Sequence, residues 1–312
     1  MDEFALIRRF FDRMTRDAAD ISLGIGDDCA LLRPPVGHEL AVTTDTLVAG
    51  RHFPLDTAAA DIGWKSLAVN LSDLAAMGAA PRWFLLALTL PDADASWLEG
   101  FSTGLAELAA EAGIALVGGD TTRGPLSVTI TAIGSLPPGA ALRRSGAQAG
   151  DAVCVTGTLG DAALALRGLR ENDDLMLRSR LDRPTPRLSA GLALREIAHA
   201  AIDLSDGLAG DLKHVLDASG VGADIDTASL PMSASFARLA GDDARLALQA
   251  AGGDDYELCV CIAPDRVDEA RAKLDLPLTV IGRITAEPGL RWLDAAGKRI
   301  EPNLQGYRHF HV

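Results

Sequence analysis

Aspartates in this sequence repeatedly follow small residues at the end of an apolar run. Six segments share this pattern: Gly26-Asp27-Asp28, Thr43-Thr44-Asp45-Thr46, Ser72-Asp73, Gly118-Gly119-Asp120, Asp203-Leu204-Ser205-Asp206 and Gly252-Gly253-Asp254-Asp255. A single aspartate of this kind is usually a turn former or a helix N-cap. Six such segments favour convergence instead, because the ends of neighbouring strands lie along one rim of a sheet.

Converging carboxylates imply a metal ion. In a partly buried site they repel one another by on the order of several kcal/mol unless cations neutralise them. Mg²⁺ prefers a few carboxylates together with water and phosphate oxygens. The glycine pairs at 118–119 and 252–253 remove side chains where the backbone must approach a phosphate or a ring. These residues predict an Mg²⁺-dependent enzyme that uses ATP.

The balance of charge argues against several other classes of protein. The 312 residues include 29 Lys and Arg against 43 Asp and Glu, a net charge of −14. Because nucleic-acid affinity comes largely from Lys and Arg that displace counterions, we expect no nucleic-acid partner. No run approaches the ~18 apolar residues that span a bilayer, and the first residues lack the apolar stretch of a secretory signal. We therefore expect a cytoplasmic protein without membrane contact.

Familiar nucleotide-binding motifs are absent from the sequence. The Gly-Lys pair at 297–298 is not followed by Ser or Thr, which excludes a P-loop there. Acidic residues follow the Gly-Ile-Gly at 24–26, which excludes a dinucleotide fingerprint. His52 either meets an anionic substrate group or has a structural role. Arg143 and Arg144 either clamp a phosphate or form a solvated pair.

Periodicity predicts mixed helices and strands in both halves of the chain, and thus an α+β or α/β fold. Helices are predicted over 61–77, from about 94, and over 160–169, 186–200 and 207–219; strands are predicted over 39–44, 83–90, 114–117, 126–133, 223–226, 256–262, 278–284 and 290–293. Ser66, Asn70 and Asp73 form a polar line on the 61–77 helix, on the side away from its apolar stripe. Residues 135–150, rich in Pro and Gly, are the best candidate linker.

Seven segments occur in an order and at a spacing that match a known family. They are GIGDDCALL (24–32), TTDTLVAGRHF (43–53), KSLAVNLSDLAAMGAAP (65–81), GGDTTRGP (118–125), VTGTLGDAA (155–163), IDLSDGL (202–208) and GGDDYEL (252–258). Together they resemble the thiamine-monophosphate kinases, a family that belongs with the aminoimidazole ribonucleotide synthetases and selenophosphate synthetases. The resemblance covers essentially the whole chain.

The resemblance implies an α+β fold of two domains. An N-terminal α+β domain over 1–137 would bind metal and ATP and pair in a homodimer, and a C-terminal α/β domain would cover 150–312. It also implies a set of site residues. Several Mg²⁺ ions would be held by Asp28, Thr43, Thr44, Asp45, Asp73, Asp120, Asp203 and Asp206; ATP would contact Gly119, Asp120, Arg144 and Ser205; thiamine monophosphate would meet His52, Asp254 and Tyr307.

Two of these assignments come from the resemblance alone. Asp28, rather than Asp27, is chosen as the metal ligand only because it matches the family. At Asp254 the family pattern has Glu, so the carboxylate is present here but its side chain is one methylene shorter.

The resemblance further implies ATP-dependent phosphorylation of thiamine monophosphate to thiamine diphosphate by direct in-line transfer. The acceptor is already anionic, so no residue is assigned as a general base. Three other functions stay open: an ATP-dependent ligase or synthetase of the same superfamily, a metal- or nucleotide-binding sensor, and a metal-dependent phosphatase. The carboxylates do not separate the first of these from a kinase, because both would use the same metal cage.

Overall fold

The structure is a computed structural model that describes residues 3–15, 19–168, 175–302 and 304. The chain divides into two compact units, the first formed by Met1–Leu74 and Ala79–Gly139 and the second by Ala75–Gly78 and Ala140–Val312. The domain limits 1–137 and 150–312 stay a proposal. Among the described helices, none combines the length and the apolar character needed to cross a membrane.

The first unit is a four-stranded sheet with helices packed on one face. Its elements are α1 (Glu3–Phe10), β1 (Ile21–Leu23), β2 (Leu31–Leu32), β3 (Glu39–Val48), α2 (Ala59–Ala76), β4 (Ala80–Leu90), α3 (Ala95–Ala112), β5 (Ala115–Arg123) and β6 (Ser127–Leu136). The sheet has the order β3-β6-β4-β5, in which β4 and β5 are parallel and the other pairs are antiparallel. Strands β3 and β5 are therefore its two edges.

Helix α3 begins at the position predicted from sequence, and a glycine ends it. The Asp94 carboxylate accepts hydrogen bonds from the backbone N–H groups of Ser96 (2.8 Å) and Trp97 (3.4 Å), so it caps the N-terminus. Gly113, with φ of 65°, ends the helix in the left-handed conformation that favours glycine. Phe101 and other apolar residues of its inner face are buried.

Helix α2 is buried on its polar side as well as its apolar side. Ser66 and Asn70, predicted to face away from the apolar stripe, are only 1% and 0% exposed. A Cβ atom on Gly63 would overlap the Phe101 carbonyl oxygen, and one on Gly104 would overlap the Ala60 carbonyl oxygen. The backbones of α2 and α3 thus approach closely on one side, and the polar residues of α2 contact the sheet on another.

Two of the aspartate segments lie inside strands rather than on turns, which corrects the prediction from sequence. Asp45 lies within β3, and β5 continues through Gly118, Gly119 and Asp120 to Arg123. The glycines predicted a strand end because they weaken an isolated strand. Pairing of Leu85, Leu86 and Ala87 with residues 118, 119 and 120 continues the ladder past them.

The second unit contains a larger, mostly antiparallel sheet. Its elements are β7 (Ala152–Thr156), α4 (Asp161–Gly168), α5 (Leu175–Asp182), α6 (Leu188–Leu194), β8 (Ala198–Asp203), α7 (Leu208–Ser219), β9 (Gly222–Asp226), α8 (Ala234–Leu239), α9 (Asp242–Ala251), β10 (Leu258–Ile262), α10 (Val267–Ala272), β11 (Leu278–Thr285), β12 (Gly289–Leu293) and β13 (Arg299–Ile300). Its described strands have the order β13-β12-β9-β11-β7-β10-β8, with only β12 and β9 parallel to each other.

The predicted helix over 186–200 is wrong in its second half. Helix α6 ends at Leu194, and β8 begins at Ala198 and pairs with the buried strand β10. The alanine-rich sequence of 198–201 suits a helix by intrinsic propensity. Pairing with β10 and burial of Ala200 and Ala201 override that propensity.

Replacement of Gly104 by alanine should destabilise the first unit. Its Cβ would overlap a backbone carbonyl of α2, so the two helices must separate, at a typical cost of about 1–3 kcal/mol. Gly210→Ala is the matched control, because Gly210 also lies in a helix but has no atom within 4 Å of an added Cβ. That control should be neutral or stabilising by about 0.5–1 kcal/mol. Chemical denaturation measures both, and equal effects would contradict the packing.

Candidate active site

One group of predicted site residues lies between α2 and β3. Thr43 and Asp45 are two residues apart on β3, and their side chains point toward the helices. The Thr43 hydroxyl donates a hydrogen bond to the Asp73 carboxylate on α2. The Asp45 backbone N–H donates to the Asn70 side-chain oxygen at 3.1 Å. The structure therefore brings Thr43, Asp45 and Asp73 together, and the polar line of α2 is what holds them.

Thr44 lies on the opposite face of the sheet. Its hydroxyl is 3.1 Å from the Ile130 carbonyl oxygen and 3.0 Å from the Thr131 hydroxyl, both on β6. Because successive side chains of a strand alternate between faces, this hydroxyl does not share a site with that of Thr43.

Asp120 and Gly119 lie on the other edge strand, away from the Thr43–Asp73 pair. Asp45 pairs with Ile130 on β6, Ile130 with Leu86 on β4, and Leu86 with Gly119 on β5. Three strand spacings therefore separate Asp45 from Gly119, about 14 Å. Asp120 is exposed on the same face as Thr44, opposite Asp45. One copy of this sheet does not bring Asp120 to the α2–β3 group.

A structural constraint within the sheet requires glycine at position 119. A Cβ atom there would overlap the Leu86 carbonyl oxygen, and φ is 148°. The close approach that excludes a side chain here is made to the neighbouring strand.

Asp27 and Asp28 differ in what their carboxylates do. The Asp27 carboxylate accepts a hydrogen bond from the backbone N–H of the next residue, Asp28, at 2.8 Å. Asp28 itself is exposed. The arrangement uses Asp27 to shape the turn and leaves the Asp28 carboxylate accessible to water.

His52 closes the turn that follows β3. Its Nδ1 atom accepts a hydrogen bond from the Val48 backbone N–H at 2.9 Å. Since Nδ1 is the acceptor, the neutral ring carries its proton on Nε2. This contact gives His52 a structural role.

In the second unit, Asp203 ends β8, and the turn that follows carries Ser205 and Asp206. The turn is organised by Asp211, in the first part of α7, whose carboxylate oxygen accepts from the backbone N–H groups of both Ser205 and Asp206 at 3.0 Å. Burial raises the pKa of Asp211 to about 7, although these two N–H groups and the charge of Arg144 act in the opposite direction. Arg144 lies near enough to influence that carboxylate.

A second turn, formed by residues 252–257, lies against the first. Asp254 donates its backbone N–H to the Ser205 carbonyl at 2.9 Å, and Tyr256 donates to the Leu204 carbonyl at 2.8 Å. Both residues have positive φ, 67° and 49°, which is uncommon for residues other than glycine. The Tyr256 hydroxyl donates to the Asp254 carboxylate at 3.1 Å. The Asp254 carboxylate is therefore oriented by its own neighbour.

Several residues around these turns were not identified from sequence. Glu257 is fully buried and binds Arg180, Arg187 and the Thr156 hydroxyl, with N···O and O···O distances of 2.6–2.7 Å. These partners are distant in sequence, so no local pattern reveals them. Asp211 was in principle detectable, as an acidic residue in the first turn of the helix after Asp206. Tyr307 lies outside the described residues.

The donor atoms present suit Mg²⁺, although the carboxylates are spread more widely than the sequence predicted. Over 3–15, 19–168, 175–302 and 304, no three His, Cys, Asp or Glu side chains form a group that could hold a metal by themselves. The α2–β3 group and the 203–206 turn instead supply oxygen donors in small sets. Mg²⁺ accepts such sets, because it usually takes one or two carboxylates and completes its shell with water and phosphate oxygens.

Comparison with known proteins places this architecture in a family. Residues 26–136 match the model for AIR synthase related protein, N-terminal domain, and residues 148–293 match that for AIR synthase related protein, C-terminal domain. The thiamine-monophosphate kinase of Salmonella typhimurium strain LT2 is 49% identical over 319 residues, which cover 99% of this chain and 98% of that protein.

Two solved structures agree with this relation. Thiamine-monophosphate kinase from Stenotrophomonas maltophilia K279a is 52% identical, with a TM-score of 0.88 over 94% of this chain and 96% of that one. AaThiL, complexed with AMPPCP and TMP, is 31% identical, with a TM-score of 0.79 over 89% of each chain. The chain therefore belongs to the AIR synthase-related proteins and, within them, to the thiamine-monophosphate kinase family. The fold class predicted from sequence is confirmed.

Asp255 should make the stability of the second unit depend on pH. Burial raises the pKa of its carboxyl well above the usual range, although the Gly160 N–H, at 2.9 Å, opposes the shift. The folded state then holds the proton more tightly than the unfolded state. Stability is full below the unfolded pKa, near 4, and declines as the pH rises toward the folded pKa. Asp255→Asn should remove this decline, so the variant should gain stability relative to wild type between pH 5 and pH 8.

Thermal melting at both pH values measures the difference. For domains of 150–250 residues, 1 kcal/mol corresponds to about 2–4 °C. The control is Asp217→Asn, at a side chain 63% exposed, which should leave the pH slope unchanged. Parallel slopes for wild type and Asp255→Asn would show that the carboxyl is not protonated by burial.

Proposed function

We propose that this protein transfers the γ-phosphoryl group of ATP to thiamine monophosphate, giving thiamine diphosphate and ADP. The observation that carries the proposal is similarity along the full chain to proteins of this name, at 49% identity over 99% of the chain for one of them. The complex of AaThiL with AMPPCP and TMP supports a nucleoside triphosphate and a second ligand as the two substrates.

The site supports direct in-line transfer. The attacking oxygen belongs to a phosphate monoester, which is already ionised at neutral pH, so no general base is required. The reaction instead requires that two anions, which repel each other, be aligned. The Nε2–H of His52 and the turn around Asp254 are the groups that we assign to the acceptor, together with Tyr307.

Oxygen donors and backbone groups implied by the family resemblance would bind the nucleotide and its cations. Mg²⁺, when bound, would neutralise phosphate charge and align the transferring group. The proposed ligands of several such ions are Asp28, Thr43, Thr44, Asp45, Asp73, Asp120, Asp203 and Asp206, and the proposed nucleotide contacts are Gly119, Asp120, Arg144 and Ser205. All four cysteines are free, which supports a reducing, cytoplasmic location.

The open face of the four-stranded sheet supports a homodimer. Leu40, Val42 and Val48 on the edge strand β3 are 46%, 63% and 39% exposed, and Leu85 on β4 is 36% exposed. Large apolar side chains grouped on a flat sheet face are typical of an interface. The backbone N–H and C=O groups along an edge strand can also form hydrogen bonds with another chain. We therefore assign this face to the contact between two copies.

Val42→Lys should weaken the dimer, because it places a charge on that apolar face. Sedimentation velocity over a range of concentrations should show a shift toward monomer, with little change in the circular dichroism spectrum. Leu192→Lys, at a residue 36% exposed in the second unit, is the control and should not change the mass. A wild-type protein that is monomeric throughout would reject the assignment.

Purified protein incubated with ATP, Mg²⁺ and thiamine monophosphate should release ADP and thiamine diphosphate in equal amounts. Chelation of Mg²⁺ should abolish turnover, and a chirally labelled γ-phosphoryl group should arrive with inverted configuration. Asp120→Asn should lower kcat/KM by at least a hundredfold if its carboxylate binds the metal. Asp268→Asn, at a side chain 93% exposed, is the matched control and should behave as wild type.

The other outcomes separate the alternatives. Inorganic phosphate release without thiamine diphosphate would indicate a phosphatase. Tight binding of Mg²⁺ and ATP with no product would indicate a sensor. ADP formation that requires an amide or amidine substrate would indicate a ligase, and the kinase proposal would fail in each case.

A further inference from the structure

Two turns that the proposed function assigns to different ligands are joined into one backbone arrangement. The turn with Ser205 would bind the nucleotide, and the turn with Asp254 would bind the acceptor phosphate. Besides the two hydrogen bonds donated by Asp254 and Tyr256, Leu204 donates its backbone N–H to the Glu257 carbonyl at 2.8 Å. Neither turn can shift without altering the other.

Glycines allow this close contact. A Cβ atom on Gly253 would lie 2.6 Å from the Ser205 carbonyl oxygen, and one on Gly207 would lie 2.9 Å from the Gly252 carbonyl oxygen. Real Cβ atoms are almost never found that close to a backbone oxygen, so both positions exclude a side chain. The positive φ of Asp254 and Tyr256 adds strain that the surrounding contacts must hold in place.

Asp211 holds the turn that contains Ser205 in place. Its side chain is 4% exposed, and its Oδ2 atom accepts from the N–H groups of Ser205 and Asp206. Those N–H groups precede α7 and are not part of its first turn. Gly207, at the N-terminus of α7, has no side chain to cap it. The Asp211 carboxylate therefore does not cap its own helix, as an acidic residue at a helix start commonly does, but organises the turn before it.

We propose that Asp211 is a positioning residue for both substrates. By fixing the N–H groups of Ser205 and Asp206 it orients the turn that would bind the nucleotide. Through the Ser205 carbonyl, which accepts from Asp254, it also sets the turn that would bind the acceptor. This role rests on the proposed function, but it requires no contact between Asp211 and either substrate.

The test compares Asp211→Ala with Asp211→Asn. Asparagine keeps an oxygen that can accept both N–H groups, whereas alanine removes it. For Asp211→Ala we expect KM to rise at least tenfold for both ATP and thiamine monophosphate. Asp211→Asn should stay within about threefold of wild type. Asp217→Ala, on the exposed side of the same helix and paired with Lys213, is the control and should not differ from wild type.

A merely structural role for Asp211 predicts a different pattern. Partial unfolding reduces the amount of active protein, so it lowers kcat and leaves KM unchanged. That pattern would overturn the proposal, and so would equal impairment of the Asn and Ala variants, which would show that charge matters rather than the hydrogen bonds. If Asp211→Ala does not fold, Gly253→Ala tests the same contact from the other turn and should raise both KM values.

Binding of AMPPCP with Mg²⁺, measured by titration calorimetry, separates this proposal from the proposed function. A wild-type protein that binds the analogue but makes no thiamine diphosphate would reject the kinase reaction. Asp211→Ala should still weaken analogue binding at least tenfold in that case. Unchanged binding in Asp211→Ala, with an active wild type, would reject the positioning role alone.

Discussion

Acidic groups that we assign to metal ions must be held in place against their own repulsion before any cation arrives. The Asp203–Asp206 turn shows how this protein meets that constraint. Asp211 is buried at a cost visible in its pKa of about 7, and two backbone N–H groups partly offset that cost. Backbone donors are suited to this task because they carry no net charge and cannot swing away. The geometry of the turn therefore depends on a carboxylate that would bind no ligand itself.

In the first unit, too, hydrogen bonds within the protein hold the acidic group in place, but here they come from a helix and a strand. Helix α2 directs Asn70 and Asp73 toward β3, where they meet the Asp45 N–H and the Thr43 hydroxyl. Close backbone contact with α3 at Gly63 and Gly104 fixes where α2 can lie. Packing between α2 and α3 thus determines where Asn70 and Asp73 lie relative to β3. A change far from the acidic residues can alter them through this contact.

The two faces of the four-stranded sheet have separate roles. One face is covered by helices and carries Thr43 and Asp45, and the other presents Thr44, Asp120 and exposed apolar side chains. Alternation along β3 separates neighbouring residues that the sequence places in one motif. The Thr43-Thr44-Asp45 segment therefore places Thr43 and Asp45 on the face covered by helices and Thr44 on the opposite face.

Much of this protein was determined by its sequence alone. The aspartate segments and the family resemblance correctly indicated the fold class and the phosphate chemistry, because those signals can be read in short segments of sequence. Tertiary structure decided the rest. Gly118 to Asp120 became part of a strand because β4 pairs with it, and residues 198–201 became a strand because β10 does. Gly119 lies about 14 Å from Asp45 because β6 and β4 separate their strands. Strand pairing joins residues far apart in sequence, and no local pattern encodes which partner a strand will find.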